Sequence, residues 1–195
     1  MASSRIVEIV EEIVKLVMPR DPCHGIDHVM RVRDLALRIA REMGEGVDLE
    51  LVELAALLHD IARHVDERKH AELSARFARI LLELAGLDRE RIEIVAQAIE
   101  DHSFSSGRRP RNIVGAILSD ADKLDAMGAI GIARVFSYGG SRGRSIEESL
   151  KHFEEKILKL KSLLITEPGK RIGEERHRIV EEFVSRLRSE LSSTR

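Results

Sequence analysis

The stretch Leu54-Ala55-Ala56-Leu57-Leu58-His59-Asp60-Ile61 constrains this chain more than any other. A nearly continuous apolar run ends in an adjacent imidazole and carboxylate. Such a run belongs in a core. The pair at its end is costly there, because a polar or charged group without a partner resists burial. Sharing a divalent ion removes that cost. The stretch therefore reads as a buried helix that carries half of a metal site.

Apolar spacing in the flanking sequence is helical almost throughout. Val7, Val10, Ile13, Val14 and Val17 predict a first helix, stopped near Pro19 to Pro22. Val29, Val32, Leu35, Ala36 and Ile39 mark a second, ended by Gly44 and Gly46. Asp48 is the expected N-cap of the third, which is apolar on most faces and so central. A fourth helix is expected over 68–85, a fifth from Asp88 to about Asp101, and a sixth from Asn112 to about Met127. Between the last two lies a polar, basic loop that includes His102, Ser103, Ser105, Ser106, Gly107, Arg108, Arg109 and Pro110. Residues 128–136 are expected to be helical, Tyr138 to Gly143 a flexible loop, and 146–165 and 170–192 two amphipathic helices broken at Thr166 to Gly169. Sustained strand alternation is absent, so the expected class is all-α.

At 195 residues the chain suits a single domain, with a core over about 24–126 and a helical extension over about 127–195. With one Tyr, five Phe and no Trp, Leu, Ile, Val and Ala must fill the core. A net charge of -2 argues against a nucleic-acid partner. The single cysteine, Cys23, excludes an intrachain disulfide framework and fits a reducing compartment. The N-terminus runs directly into a charged amphipathic segment, and no apolar run approaches the ~18 residues of a membrane span. The expectation is a cytoplasmic protein without membrane contact. Asn112 and Gln97 are the only side-chain amides, a bias that suits heat adaptation.

Four residues complete a plausible ion site: His28 in the second helix, His59 and Asp60 at the end of the third, and Asp122 in the sixth, with Asp120 as its rival. Neighbouring helical residues project about 100° apart, so His59 and Asp60 can grip an ion lying between them. Two imidazoles and two carboxylates suit Mn, Fe, Co, Ni or Zn better than Ca. Four protein ligands on an octahedral ion leave positions for water and substrate.

The set His28, His59-Asp60 and Asp122 resembles the H…HD…D signature of the HD-domain superfamily of metal-dependent phosphohydrolases. The surrounding residues are similar to its small single-domain bacterial and archaeal members: His24-Gly25-Ile26-Asp27-His28-Val29, Ser119-Asp120-Ala121-Asp122-Lys123-Leu124-Asp125-Ala126, Gly128-Ala129-Ile130-Gly131, Tyr138-Gly139-Gly140, and Glu175-Arg176-His177. The resemblance implies an HD-domain helical bundle and a bound divalent ion, with Mg among the candidates. It implies hydrolysis of phosphoester or phosphoanhydride bonds, with a nucleotide or another small phosphorylated molecule as substrate. It also selects Asp122 over Asp120 as fourth ligand. Asp60 is then expected to ligate and to take part in proton transfer.

His102 is expected at the cleft as a catalytic group, the alternative being a helix-end contact. His24, Arg63 and Lys123 are candidates for binding phosphate; salt bridges to Asp27, Asp66 or Asp125 are the alternative for the two cations. Arg108, Arg109, Arg111, Arg142 and Arg144 put positive charge on two loops, where it either attracts an anionic substrate or is simply solvated.

Two positions depart from the pattern. Gly25 stands where members often carry Asp, and Arg63 where some HD nucleotidases carry an acidic residue. Two competing functions are a phosphodiesterase acting on cyclic nucleotides or nucleic-acid ends, and a non-catalytic, metal-stabilised sensor or scaffold. The closing helices either cap the core or pair with a second subunit in a homodimer.

Overall fold

The apolar stripes fold into helices at nearly every expected place in the computed structural model, which describes residues 4–21, 23–103 and 108–193. Residues 104–107, in the expected basic loop, and Pro22 lie outside the described residues. The chain forms two compact units, Met1–Asp122 and Lys123–Arg195.

In the first unit the helices are α1 (Arg5–Val17), α2 (Ile26–Met43), α3 (Leu49–Leu58), α4 (His70–Leu84) and α5 (Arg89–Asp101), followed by α6 (Ile113–Asp125), whose last residues belong to the second unit. Side-chain caps set several starts. Ser4 accepts from the Val7 amide, Asp48 from the amides of Glu50 and Leu51, and Asp88 from the Arg91 amide. Each cap satisfies amides that the first turn leaves unpaired.

The third helix is central, as its composition requires. Leu51, Val52 and every residue from Leu54 to Leu58 are buried. Burying one such leucine contributes about 1.5–3 kcal/mol before entropy is counted. α2 packs along α3, and its Val29, Val32, Ala36, Ile39 and Ala40 are fully buried. α5 packs against both α3 and α4, and its Val95, Ala96 and Ile99 are fully buried.

The second unit contains α7 (Gly128–Ser141), α8 (Ile146–Glu155), a 3-10 helix (Ile157–Leu163) and α9 (Glu167–Ser193). Phe136, Phe153 and Phe183 form an aromatic cluster with ring centroids 5.8–5.9 Å apart. The buried Asp125 carboxylate pairs with Arg134 at 2.7 Å.

Three boundaries differ from the expectation. The helix expected over 146–165 is split: α8 ends at Glu155 and a 3-10 helix runs from Ile157 to Leu163. Tyr138 to Gly140 extend α7 instead of forming a loop. There Gly139 lies close to the Ser149 hydroxyl, and its carbonyl accepts from the Arg144 amide, so packing overrides weak helix propensity. The expected break at Thr166 to Gly169 is in fact the start of α9. Thr166 Oγ1 accepts from the Gly169 amide at 3.0 Å, and Pro168 sits in the first turn, where its missing N–H costs nothing. Arg142 and Arg144 lie over the Tyr138 ring, 5.3 and 5.6 Å from its centroid.

Candidate metal centre

Three local devices place the imidazoles. At the entry to α2, Asp21 Oδ1 accepts from the amides of Cys23 and His24, and the Gly25 amide donates to the Asp21 carbonyl. The chain then turns so tightly that a Cβ on Gly25 would strike the Pro19 carbonyl oxygen and the Asp21 amide nitrogen. The departure at Gly25 is therefore steric: no side chain fits there. His28 follows on the first turn of α2.

α3 ends at Leu58, and residues 59–65 continue as successive turns. The Arg63 amide donates to the Asp60 carbonyl at 2.9 Å. The Ala62 amide donates to Ser74 Oγ at 3.1 Å, which ties these turns to α4.

The third device repeats three times. His59, His70 and His102 each place Nδ1 against the carbonyl three residues earlier: Ala56 at 2.7 Å, Glu67 at 2.8 Å and Ile99 at 2.6 Å. A carbonyl only accepts, so each Nδ1 carries the proton. In the neutral ring Nε2 is then an unprotonated donor atom for a metal.

These Nε2 atoms converge on Asp60. His28 Nε2 lies 3.3 Å from His59 Nε2, 3.8 Å from Asp60 Oδ2 and 3.5 Å from Asp122 Oδ1. His59 Nε2 is 3.9 Å from Asp60 Oδ2. The other carboxylate oxygen, Oδ1, lies 3.4 Å from His70 Nε2 and 3.8 Å from His102 Nε2. The rings stand edge to face in series, His28 to His59, His59 to His102 and His102 to His70. All four imidazoles and Asp60 are buried, while Asp122 remains partly exposed.

Burial and charge set the protonation states. Burial pushes the His59 imidazole down to about 4, despite the pull of Asp60. It also lowers His70. For Asp60, burial favours the acid form, but the surrounding imidazoles and Arg63 outweigh it and hold the carboxyl well below its ordinary value. Asp122 behaves alike: burial opposes ionisation, and His28, His102 and His59 outweigh it, bringing the carboxyl to about 2. His102 moves the other way, because Asp60 and Asp122 overcome burial and favour its charged form. Near neutral pH the cluster thus presents ionised carboxylates and neutral His59 and His70.

This arrangement fits a divalent ion. His28, His59 and Asp60 each offer a ligand atom within 4.8 Å of the others, and so do Asp60, His70 and His102. Asp60 Oδ1 is buried and makes no hydrogen bond among the described residues. The facing Nε2 atoms of His28 and His59 beside Asp60 Oδ2, with Oδ1 of the same carboxylate unsatisfied toward His70 and His102, form an electron-rich centre that a cation completes.

Asp122 reaches His28, whereas Asp120, about 200° further around α6, is fully buried on another side of the helix. His24 lies just before α2, its ring edge-on to His28 at 5.9 Å. Arg63 pairs with Asp60 at 3.5 Å and with Glu67 at 3.7 Å, and its Nη1 is 3.3 Å from His70 Nε2. Its carboxylate partners are thus neither Asp27 nor Asp66. Lys123, beside Asp122 in the sequence, is buried and opens the second unit. Arg111 is bound to Asp101 and Glu100 at 2.8 and 2.7 Å, which ties down one of the basic-loop charges. His70 was not anticipated. A signal existed: it continues the buried line Ser74, Ala78, Leu82 of α4 at intervals of four, where an imidazole needs a polar partner.

An all-helical fold that buries paired histidines and aspartates around one point defines a metal-site class, and comparison with known proteins identifies it. Residues 25–127 match the HD domain. YpgQ of Bacillus subtilis (strain 168), named an uncharacterised protein, is 35% identical over 176 residues, covering 86% of this chain and 84% of its own. The crystal structure of B. subtilis YpgQ in complex with ADP aligns with a TM-score of 0.78 at 30% identity, covering 94% of this chain and 97% of that one. A structure of an HD-superfamily hydrolase from Bacillus thuringiensis aligns with a TM-score of 0.76 at 33% identity, covering 98% and 99%. The chain belongs to the HD domain family, within which similar proteins are described as hydrolases.

Proposed function

We propose that this protein is a metal-dependent phosphohydrolase acting on a nucleotide or a similar small phosphorylated molecule. The observation that carries the reading is the convergence of His28, His59 and Asp122 beside Asp60 Oδ2, on a buried carboxylate whose other oxygen, Oδ1, makes no hydrogen bond among the described residues. His28, His59, Asp60 and Asp122 would hold the ion. When bound, it supplies a Lewis acid that polarises a phosphoryl oxygen and acidifies water.

The protein's own groups supply the rest. Asp60 turns one oxygen toward His28 and His59 and the other toward His70 and His102. It links the ion's ligands to the two imidazoles that handle protons. His102, beside Asp60 Oδ1, would return a proton to the leaving oxygen. Its Nδ1 is fixed by Ile99, which leaves Nε2 for that exchange. Arg63, held between Asp60 and His70, places a guanidinium beside the site and favours an anionic substrate. His24 and Lys123 are the further phosphate-binding candidates. The ADP complex of YpgQ supports a nucleotide as ligand.

The test is a panel of nucleoside mono-, di- and triphosphates and cyclic nucleotides, each with Mn, Co, Ni, Mg or Zn, followed by phosphorus NMR. Release of phosphate or pyrophosphate from a linear nucleotide supports the reading. Cleavage of cyclic nucleotides alone favours a phosphodiesterase, and metal binding without turnover of any compound favours a scaffold.

A further inference from the structure

We infer that α4 is a self-association face, on which a second copy of this chain docks antiparallel about a two-fold axis. α4 turns Ser74, Ala75, Ala78 and Leu82 into the core of its own unit. Another side carries Leu73, Phe77, Ile80 and Leu84, spaced by four, three and four residues and therefore aligned on one stripe. Phe77 is 39% exposed, Ile80 55% and Leu84 81%. A single exposed leucine is ordinary, but an aligned apolar stripe on a charged helix marks a contact surface.

The charges beside the stripe indicate what covers it. Arg79 is used inside the chain, bound to Glu93 and Glu100 of α5 at 2.9 Å. Arg76 and Glu83 make no side-chain hydrogen bond or ion pair among the described residues. They lie seven residues apart, two turns, on the same flank of the stripe. In an antiparallel pair related by a two-fold axis, each flank meets the same flank of the other copy, running in reverse. An axis near Arg79 brings Arg76 of one copy to Glu83 of the other, and repeats the pair by symmetry. The same axis sets Leu73 against Leu84 and Phe77 against Ile80. One axis thus satisfies both the apolar and the charged residues, which an unrelated partner would match only by coincidence. Glu72, also without such a partner, lies a turn before Arg76, at the margin of this pairing.

Sedimentation of the full chain tests this, with far-UV circular dichroism to confirm that each variant is folded. The wild type is expected to be a dimer. The double variant Ile80→Glu/Leu84→Glu is expected to be a folded monomer. Leu16→Glu, at an equally exposed leucine of α1, should leave the dimer intact. Arg76→Glu alone and Glu83→Arg alone each put like charges in contact and should weaken the dimer about tenfold or more. Mixing those two variants should yield a heterodimer tighter than either homodimer, since both cross-pairs then attract. A wild type that stays monomeric at about 100 µM overturns the inference. So does a dimer that survives Ile80→Glu/Leu84→Glu or is lost in Leu16→Glu, and so does a mixture without preference for the heterodimer.

Discussion

Asp60 Oδ1 lies 3.4 Å from His70 Nε2, a contact that joins the turns following α3 to the first residue of α4. Its other oxygen faces His28 and His59. One carboxylate therefore stands between the proposed ion ligands and a second pair of imidazoles. The two sides should respond differently to mutation. His59→Ala is expected to lose the ion. His70→Ala should retain it in the His28–Asp122 set while lowering kcat by tenfold or more. Elemental analysis of the purified variants, beside their rates, distinguishes the two.

Asp122 and Asp120 should separate just as clearly. Asp122→Asn removes an anionic ligand, and metal content should fall. Asp120→Asn alters a fully buried group, so its expected effect is on stability, about 1–3 kcal/mol by denaturant titration, with metal retained. Metal loss in Asp120→Asn alone would overturn the assignment.

Gly25 makes a steric prediction. Gly25→Asp, which restores the residue often found in the family pattern, drives a Cβ into the Pro19 and Asp21 backbone. The entry to α2 must shift, and His28 with it. Thermal melting should show a loss of about 3 kcal/mol or more, and the metal affinity of whatever folds should drop.

A distant network gives a pH prediction. Arg79 holds the Glu93 carboxyl below its ordinary value by a direct hydrogen bond. For Glu100, burial opposes ionisation, but hydrogen bonds from Arg111 and Arg79 outweigh it and lower the value. A carboxyl lowered in the fold binds fewer protons there than in the unfolded chain. Its stabilisation is present above the ordinary carboxylate range and is lost as pH falls through the lowered value. Between about pH 6 and 3 the wild type should therefore lose roughly 1 kcal/mol more than Arg79→Ala, as read by urea unfolding at each pH.

Much of this was legible in the sequence because it rests on local rules. Asp48 and Asp88 cap the helices they precede, and the apolar run 54–58 is buried throughout. The pair His59-Asp60 could be suspected because a charged end on a core helix requires compensation. What escaped depends on contacts between distant segments. His70 joins the cluster only because Ser74 fixes the turns that follow Asp60. The helical course of Tyr138 to Gly140 depends on how closely Gly139 packs against Ser149. The reason for Gly25 became visible only when Pro19 and Asp21 were seen around it.

The most direct test of the central claim is hydrolysis of a nucleoside triphosphate by the chelator-stripped protein, before and after adding back a divalent ion. Turnover should vanish on stripping, return with Mn, Co or Ni, and fall by about a thousandfold in Asp60→Asn. Turnover that persists in the stripped protein, or in Asp60→Asn with the ion restored, would contradict the account.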